Sequence, residues 1–236
     1  MTQEEYKAKF SEDDAPGWDA IARALEKIYD PANERHYPSR LHASLGDEDY
    51  LEGVSIFDSI KGAPHRHLIS FGISELYYDP QSAQEEFSGW GFEFSMRIAP
   101  FADDPDSKSF GGAVALHEPF WAISLMQNLA KYVYKSKKWF EAYRFIPTNS
   151  LLRLNTDTKL VGVAFAPDPI LDGIDTPNSR VGFLQMVGPH TARARLATLG
   201  SERRTSRVFD KHDARGQSFA NNRPKAHERI RLITAG

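Results

Sequence analysis

One stretch in the first half of the chain restricts the possible fold more than any other. It alternates Phe92, Phe94, Met96 and Ile98 with Glu93, Ser95 and Arg97. A period of two places the apolar set on one face of a β-strand. The evenly apolar residues 68–73 predict a second, central strand. Between them, residues 88–91 carry two glycines around Trp90, which predicts a turn whose backbone passes close to a large ring.

Further elements predict the fold class. Short apolar runs at 54–57, 151–154, 160–165 and 181–187 bring the number of predicted strands to about six. Helical spacing predicts one amphipathic helix over 16–29 and a second from Pro119, with Trp121, Leu125, Leu129 and Val133 on one face. Because these helices fall between groups of strands, the order predicts an α+β fold, a mixed β-sheet of about six strands flanked by helices.

The remaining segments are predicted to be irregular. Residues 1–14 are polar, which predicts a frayed amino terminus. Residues 31–50, which include His36, predict a surface loop. Residues 100–118 predict another loop, and the aspartate- and proline-rich residues 166–180 predict a turn.

Composition excludes several classes of protein. The chain has 236 residues, of which 41% are hydrophobic and 26% charged, as expected of a globular protein with a substantial core. It has no cysteine, which excludes disulfides, thiolate catalysis and cysteine-ligated metals. No apolar run approaches the roughly 20 residues that span a bilayer, and the first residues are too charged for a secretory signal. These features predict a cytoplasmic location.

Charge divides the chain in two. Residues 1–190 contain 18 Lys and Arg against 28 Asp and Glu, whereas residues 191–236 contain 11 against 4. The basic end also has few large apolar residues with which to offset the entropy of ordering. The pattern therefore predicts a folded domain at 1–188 and a basic, poorly packed or divergent tail at 189–236.

Candidate catalytic and metal-binding residues are sparse. His65 and His67 share one side of a predicted strand, but no motif supplies a third ligand, so we predict no metal and no cofactor. The carboxylates at positions 75, 79, 85 and 86 leave a hydrolase open as an alternative. His117 and Glu118 precede the second helix, with Ser124 one turn into it, but no serine has the elbow motif of a nucleophile. The basic tail leaves open a nucleic-acid accessory protein.

Four segments in a fixed order resemble a known family. The run FGISELYYD (71–79) followed by SGWGFEFSMRI (88–98) is similar to the signature of the suppressor-of-fused (SUFU) domain. Three more segments resemble it in the same order, at 45–55, 125–133 and 175–188. The resemblance implies the fold of a SUFU amino-terminal domain. Relatives close that domain with a further helix and an apolar strand, which the sequence after residue 188 does not show. A divergent ending or a reading-frame change near codon 190 would account for this difference.

The resemblance also implies a binding site. In animal members of the family, a tyrosine at the position of Tyr132 helps to hold a bound peptide strand, and the assisting acidic groups correspond here to Arg144 and Pro167. The implied partner is a protein or an extended peptide that adds to a sheet edge. We therefore predict a non-enzymatic protein-binding module with Tyr132 in its partner-binding site.

The family also implies a biological role. Animal relatives carry an additional carboxyl-terminal domain, so this chain resembles the single-domain bacterial branch, which includes immunity proteins that neutralise a partner toxin. An acidic body agrees with that role, because opposite charge accelerates encounter with a basic toxin.

Overall fold

Eight strands form one mixed sheet in the computed structural model, which describes residues 1–39, 49–59, 63–99, 118–147 and 162–188. The strands are β1 (Arg35–Pro38), β2 (Gly53–Ser59), β3 (His65–Phe71), β4 (Phe87–Ile98), β5 (Phe145–Pro147), β6 (Gly162–Pro167), β7 (Ile174–Thr176) and β8 (Ser179–Val187). Their order is β1-β2-β3-β4-β8-β6-β5, and β7 pairs with β8 as a hairpin. Only the β4–β8 pair is parallel among the described strands. The α+β class and the mixed sheet are confirmed.

Helices cover both faces of this sheet. The described helices are α1 (Gln3–Lys9), α2 (Pro16–Glu26) and α3 (Phe120–Ser136). The buried ridge of α3 consists of Ala122, Met126, Ala130 and Val133. It packs against the β4 face that carries Phe92 and Phe94. On the other face, Ile21 and Leu25 of α2 pack against Ile69, Phe71 and Phe183.

The alternation of β4 is observed, but its polar face is not exposed to water. Phe92, Phe94, Met96 and Ile98 are all buried on the α3 side. Glu93 and Ser95 are also fully buried, on the side of α2. A strand with polar alternation therefore lies between two layers, and its polar residues require internal partners.

The amino terminus is ordered, contrary to prediction. Helix α1 begins with a capping box in which Thr2 and Glu5 exchange hydrogen bonds. Tyr6 is fully buried and donates its hydroxyl to Asn178. The Asn178 amide donates in turn to the carbonyls of Glu75 and Tyr77. One buried tyrosine thus ties this helix to the domain, although the rest of its surface is polar.

Three other local predictions are wrong or shifted. Residues 88–91 belong to β4, where the register with β8 shifts between Phe87 and Phe92. Gly91 has a positive φ of 86°, and the ring that approaches it is that of Phe87. His36 lies in edge strand β1, and its ring contacts Trp18 and Phe71.

Other predictions are only partly tested. The predicted strand at 151–154, the loop at 100–117 and the tail from 189 lie outside the described residues. Helix α2 ends at Glu26, before the predicted limit at 29. None of the helices in the described ranges combines the length and apolarity needed to cross a bilayer.

Candidate functional site

The signature residues meet in a buried turn. The Glu93 carboxylate accepts hydrogen bonds from the amides of Gly72 (3.0 Å), Ile73 (3.1 Å) and Ser74 (2.9 Å). The hydroxyls of Ser70 and Ser74 add two more, each at 2.6 Å. These five bonds join the end of β3 to the centre of β4. The runs that carry the family resemblance therefore build the fold. The Glu93 carboxylate is fully buried, so another protein cannot contact it.

Burial dominates the ionisation of this carboxylate. Desolvation raises the pKa of Glu93 to about 6, although the hydrogen bonds from Ser70, Ser74 and Gly72 oppose the rise. The folded protein consequently binds this proton more tightly than an exposed glutamate does, whose ordinary value is 4.5.

A second polar cluster lies on the same side of the sheet. Asp168, which directly follows β6, accepts two hydrogen bonds of 2.8 Å from the Arg97 guanidinium. It also accepts from the Ser95 hydroxyl and the amides of Ile170 and Leu171. Burial alone would raise the pKa of Asp168, but the hydrogen bonds, among them those from His67 and Arg97, hold that pKa well below its usual range.

His67 completes this cluster without forming a catalytic site. Its Nε2 lies 3.2 Å from Asp168 and its Nδ1 lies 2.7 Å from the Tyr29 hydroxyl. Because a carboxylate can only accept, Nε2 carries the proton and Nδ1 accepts from Tyr29. Burial lowers the pKa of His67, which favours the neutral ring. His67 and Asp168 have no exposed side-chain surface, which leaves no access for a substrate.

Tyr132, the predicted contact residue, lies on the surface at the outer end of a column of aromatic rings. It is 46% exposed on α3. Its ring stacks on Phe140 at 5.5 Å and 14°. Phe140 stacks on Phe165 at 4.7 Å, and Phe165 stacks on Phe94 at 6.0 Å. The column runs from solvent to the core, so the core fixes the position of the exposed ring.

An irregular edge of the sheet lies beside this column. The Tyr143 amide donates to the Phe165 carbonyl at 2.7 Å, and the Phe165 amide donates to the Arg144 carbonyl at 2.9 Å. Two residues thus oppose one, which is a G1-type β-bulge. Tyr143 occupies the left-handed position with φ of 68°, where glycine is usual. A non-glycine residue there costs on the order of 1 kcal/mol, and such strain concentrates near functional sites.

We call this region the Tyr132 surface and define it by five exposed side chains and one strand. The side chains are Tyr132, Lys135, Lys138, Trp139 and Arg144, and the strand is β5. Within the described residues β5 lies at one end of the sheet order and pairs with β6. An exposed aromatic ring that is held in place by stacked rings, beside a strand at the end of a sheet, can contribute to binding an extended chain. The strand supplies backbone hydrogen bonds and the ring supplies a side-chain contact.

The other predicted site residues do not converge. Asp79 accepts from the amide of Gln81 and the hydroxyl of Ser82, which makes it a turn cap. Glu85 and Glu86 are exposed and border a shallow groove of about 560 Å³. Glu118 pairs with Arg35 at the start of α3. In the described ranges no three potential ligands come close enough to hold a metal ion.

Sequence reasoning missed Trp139, Phe140 and the Asp168 cluster. The run Lys137-Lys138-Trp139-Phe140 directly after a helix contains two aromatic residues where a polar connection is usual. Arg97 in an otherwise buried strand was a second indication, since a charge at such a position requires a partner.

Comparison with known proteins agrees with this architecture. The described residues form one mixed sheet flanked by helices, in which the signature residues support the fold and Tyr132 is exposed. The sequence profile of the suppressor of fused protein (SUFU) family matches residues 47–207. The chain belongs to this family.

Individual relatives agree with that assignment. This chain is 32% identical over 183 residues to the human Suppressor of fused homolog, and it is equally similar to the mouse protein. The match covers 73% of this chain but only 35% of either relative.

Two solved structures share the fold. One is a crystal structure of the Sufu–Fu complex, with a TM-score of 0.68 and 28% identity over 81% of both chains. The other is Drosophila Suppressor of Fused, with a TM-score of 0.69 and 27% identity over 82% of this chain and 48% of that one. One structural relative is thus recorded bound to a protein partner.

Proposed function

We propose that this chain is a non-enzymatic protein-binding module that captures an extended peptide of its partner at the Tyr132 surface. The observation that carries the proposal is the exposed Tyr132 ring, held in place by stacking on Phe140 and Phe165. Family membership supports it, because a structural relative occurs in a complex with another protein.

The geometry supports strand addition as the binding mode. Among the described strands β5 lies at one end of the sheet, where an added strand gains affinity from main-chain hydrogen bonds, with Pro147 able to supply only its carbonyl. Tyr132 and Trp139 provide large, rigid aromatic surface next to them, and such residues dominate interface energetics. The column beneath Tyr132 means that little conformational entropy is lost when the ring is covered.

The biological role that we propose is neutralisation of a partner toxin, in the cytoplasm of a bacterium. The acidic charge of the described residues outside the Tyr132 surface supports it, since such charge steers a basic partner towards the chain. Co-expression with a toxin encoded in the same locus tests this role: an immunity protein restores growth, and unchanged killing contradicts the assignment.

A hydrolase is the weaker alternative. Its carboxylates, Glu85 and Glu86, lie in open solvent beside Asp175 and Arg180. A general acid requires a desolvated or coupled carboxyl group, which an open groove of this kind does not provide. We therefore propose that the chain binds its partner without transforming it.

Replacement of Tyr132 tests the proposed site. Peptides of twelve random residues displayed on phage are selected on the full chain, and the affinities of the selected peptides are measured by fluorescence anisotropy. We expect Tyr132→Ala to weaken binding by a factor of ten or more, as for an aromatic hot spot of about 2 kcal/mol.

A matched control lies on the same helix. Phe120 is 50% exposed and precedes Tyr132 by about 18 Å along the helix axis. Phe120→Ala is expected to leave the affinity unchanged within a factor of two. Equal losses for the two variants, or no loss for Tyr132→Ala, would show that the peptides bind elsewhere.

A further inference from the structure

Charge on the described surface is segregated, and the Tyr132 surface has the minority sign. Residues 131–144 contain five basic side chains and one acidic one. The other described residues contain 21 acidic and 8 basic side chains. The predicted binding surface therefore has the opposite charge to the rest of the described domain.

The backbone places these cations around the exposed ring. Lys135 follows Tyr132 by three residues, so the two side chains are neighbours on one face of α3. The helix ends at Ser136 and is capped by Lys137, whose φ of 60° is left-handed and whose amide donates to the Val133 carbonyl at 2.9 Å. This reversal brings Phe140 back onto Tyr132, with exposed Lys138 and Trp139 between.

Helix capping accounts for only part of this charge. Lysines in a last turn complement the carbonyl end of a helix, which explains Lys135 and Lys137. Lys138 and Arg144 lie beyond the helix. Arg144 pairs only with Glu141 among the described residues, at 3.0 Å, with side chains 67% and 47% exposed. An exposed pair of this kind is weak, so Arg144 can readily exchange Glu141 for another carboxylate.

We propose that the segment captured at the Tyr132 surface is an acidic extended peptide. Its backbone adds to β5, an apolar or aromatic side chain covers Tyr132, and its Asp and Glu side chains meet Lys135, Lys138 and Arg144. A guanidinium forms bidentate hydrogen bonds with a carboxylate. Arg144 is therefore the contact that fixes the register of the peptide against β5. This inference rests on the proposed function and adds the chemical class of the partner segment.

A single-stranded nucleic acid is the competing occupant, because lysines beside aromatic rings also suit phosphates and bases. One observation favours the peptide. Within the described residues β5 lies at one end of the sheet and offers backbone pairing that a sugar-phosphate chain cannot complete.

Three peptide pools and one oligonucleotide test the inference on the full chain. Each pool has twelve-residue members that alternate random apolar residues with only Glu, only Gln or only Lys, and the oligonucleotide is dT12. At low salt we expect the Glu pool to bind at least ten times more tightly than the Gln pool. We expect this advantage to shrink several-fold in high salt, and the Lys pool not to bind.

Matched variants assign the effect to these cations. Lys135→Glu combined with Lys138→Glu is expected to abolish the preference for the Glu pool. Lys7→Glu combined with Lys9→Glu, at the end of α1, changes the net charge equally and is expected to preserve it.

The outcomes separate the two proposals. Binding that depends on Tyr132 but shows no preference for Glu over Gln overturns the charge inference alone. Binding of dT12 that competes with the peptides and is lost in the Lys135/Lys138 variant also overturns it. If no pool binds, or if Tyr132→Ala affects none of them, the proposed function itself fails.

Discussion

Replacing Asp168 with alanine is expected to lower the free energy of unfolding by about 3–5 kcal/mol. The change removes the carboxylate that pairs with Arg97, whose side chain is only 14% exposed, and breaking one partner of a buried pair has a cost of this size. The Ser95 hydroxyl and the amides of Ile170 and Leu171 lose their acceptor as well.

Chemical denaturation of three variants measures this effect. Asp168→Asn keeps an acceptor oxygen and is expected to lose less than Asp168→Ala. Arg97→Met combined with Asp168→Ala removes both charges and is expected to be more stable than Asp168→Ala alone, since no unpaired cation stays buried. A loss below 1 kcal/mol for Asp168→Ala would show that the cluster does not support the fold.

The ionisation of Asp168 also gives a pH dependence. Its folded pKa lies below the ordinary value of 3.8, so its charge stabilises the fold above that value. This stabilisation is expected to decline progressively as the pH falls below about 4, and to be lost only as the pH falls through the lower folded pKa. The free energy of unfolding of Asp168→Asn should therefore fall less steeply with decreasing pH than that of the unmodified chain.

Replacing Glu93 with alanine is expected to lower the free energy of unfolding by at least about 3 kcal/mol. Three backbone amides and two serine hydroxyls lose their acceptor inside the core, and each unsatisfied group costs about 1–3 kcal/mol before water or relaxation compensates. Glu93→Gln keeps an acceptor oxygen for the amides and is expected to cost only about 1 kcal/mol at pH 7.

Comparison of Glu93→Gln with the unmodified chain isolates the titration of this carboxyl. Because the folded pKa of about 6 lies above the ordinary 4.5, protonation favours the folded state, and this contribution to stability rises as the pH falls from 7.5 to 4.5. The glutamine variant lacks it. Relative to Glu93→Gln, the free energy of unfolding of the unmodified chain should therefore increase by about 2 kcal/mol over this interval. A difference between the two proteins that is constant with pH would contradict the assignment.

The sequence predicted the apolar layer of the sheet but not its second covered face. Alternation identifies which residues of β4 share a face, and Phe92, Phe94 and Met96 are buried as that pattern requires. It cannot tell whether the polar face meets water or another layer. That outcome depends on α2 and on Asp168, which lies 71 residues from Arg97.

Resemblance and geometry contributed different parts of the candidate site. Tyr132 came from the resemblance, because a half-exposed helical tyrosine has no distinctive spacing. The aromatic column beneath Tyr132 could not be predicted from the sequence. Phe140 contacts Tyr132 only because the chain reverses at the left-handed Lys137, and Phe165 contacts Phe140 only because of strand pairing in the sheet. The buried turn around Glu93 explains why the signature residues identify the fold without marking the proposed binding surface.

Hydrogen–deuterium exchange of the full chain, with and without a saturating selected peptide, tests the central claim most directly. If the peptide adds to the sheet edge beside Tyr132, amides of 143–146 are expected to exchange at least ten times more slowly in the complex, while those of α1 keep their rates. Protection confined to other elements, with the amides of 143–146 unchanged, would contradict capture at this edge.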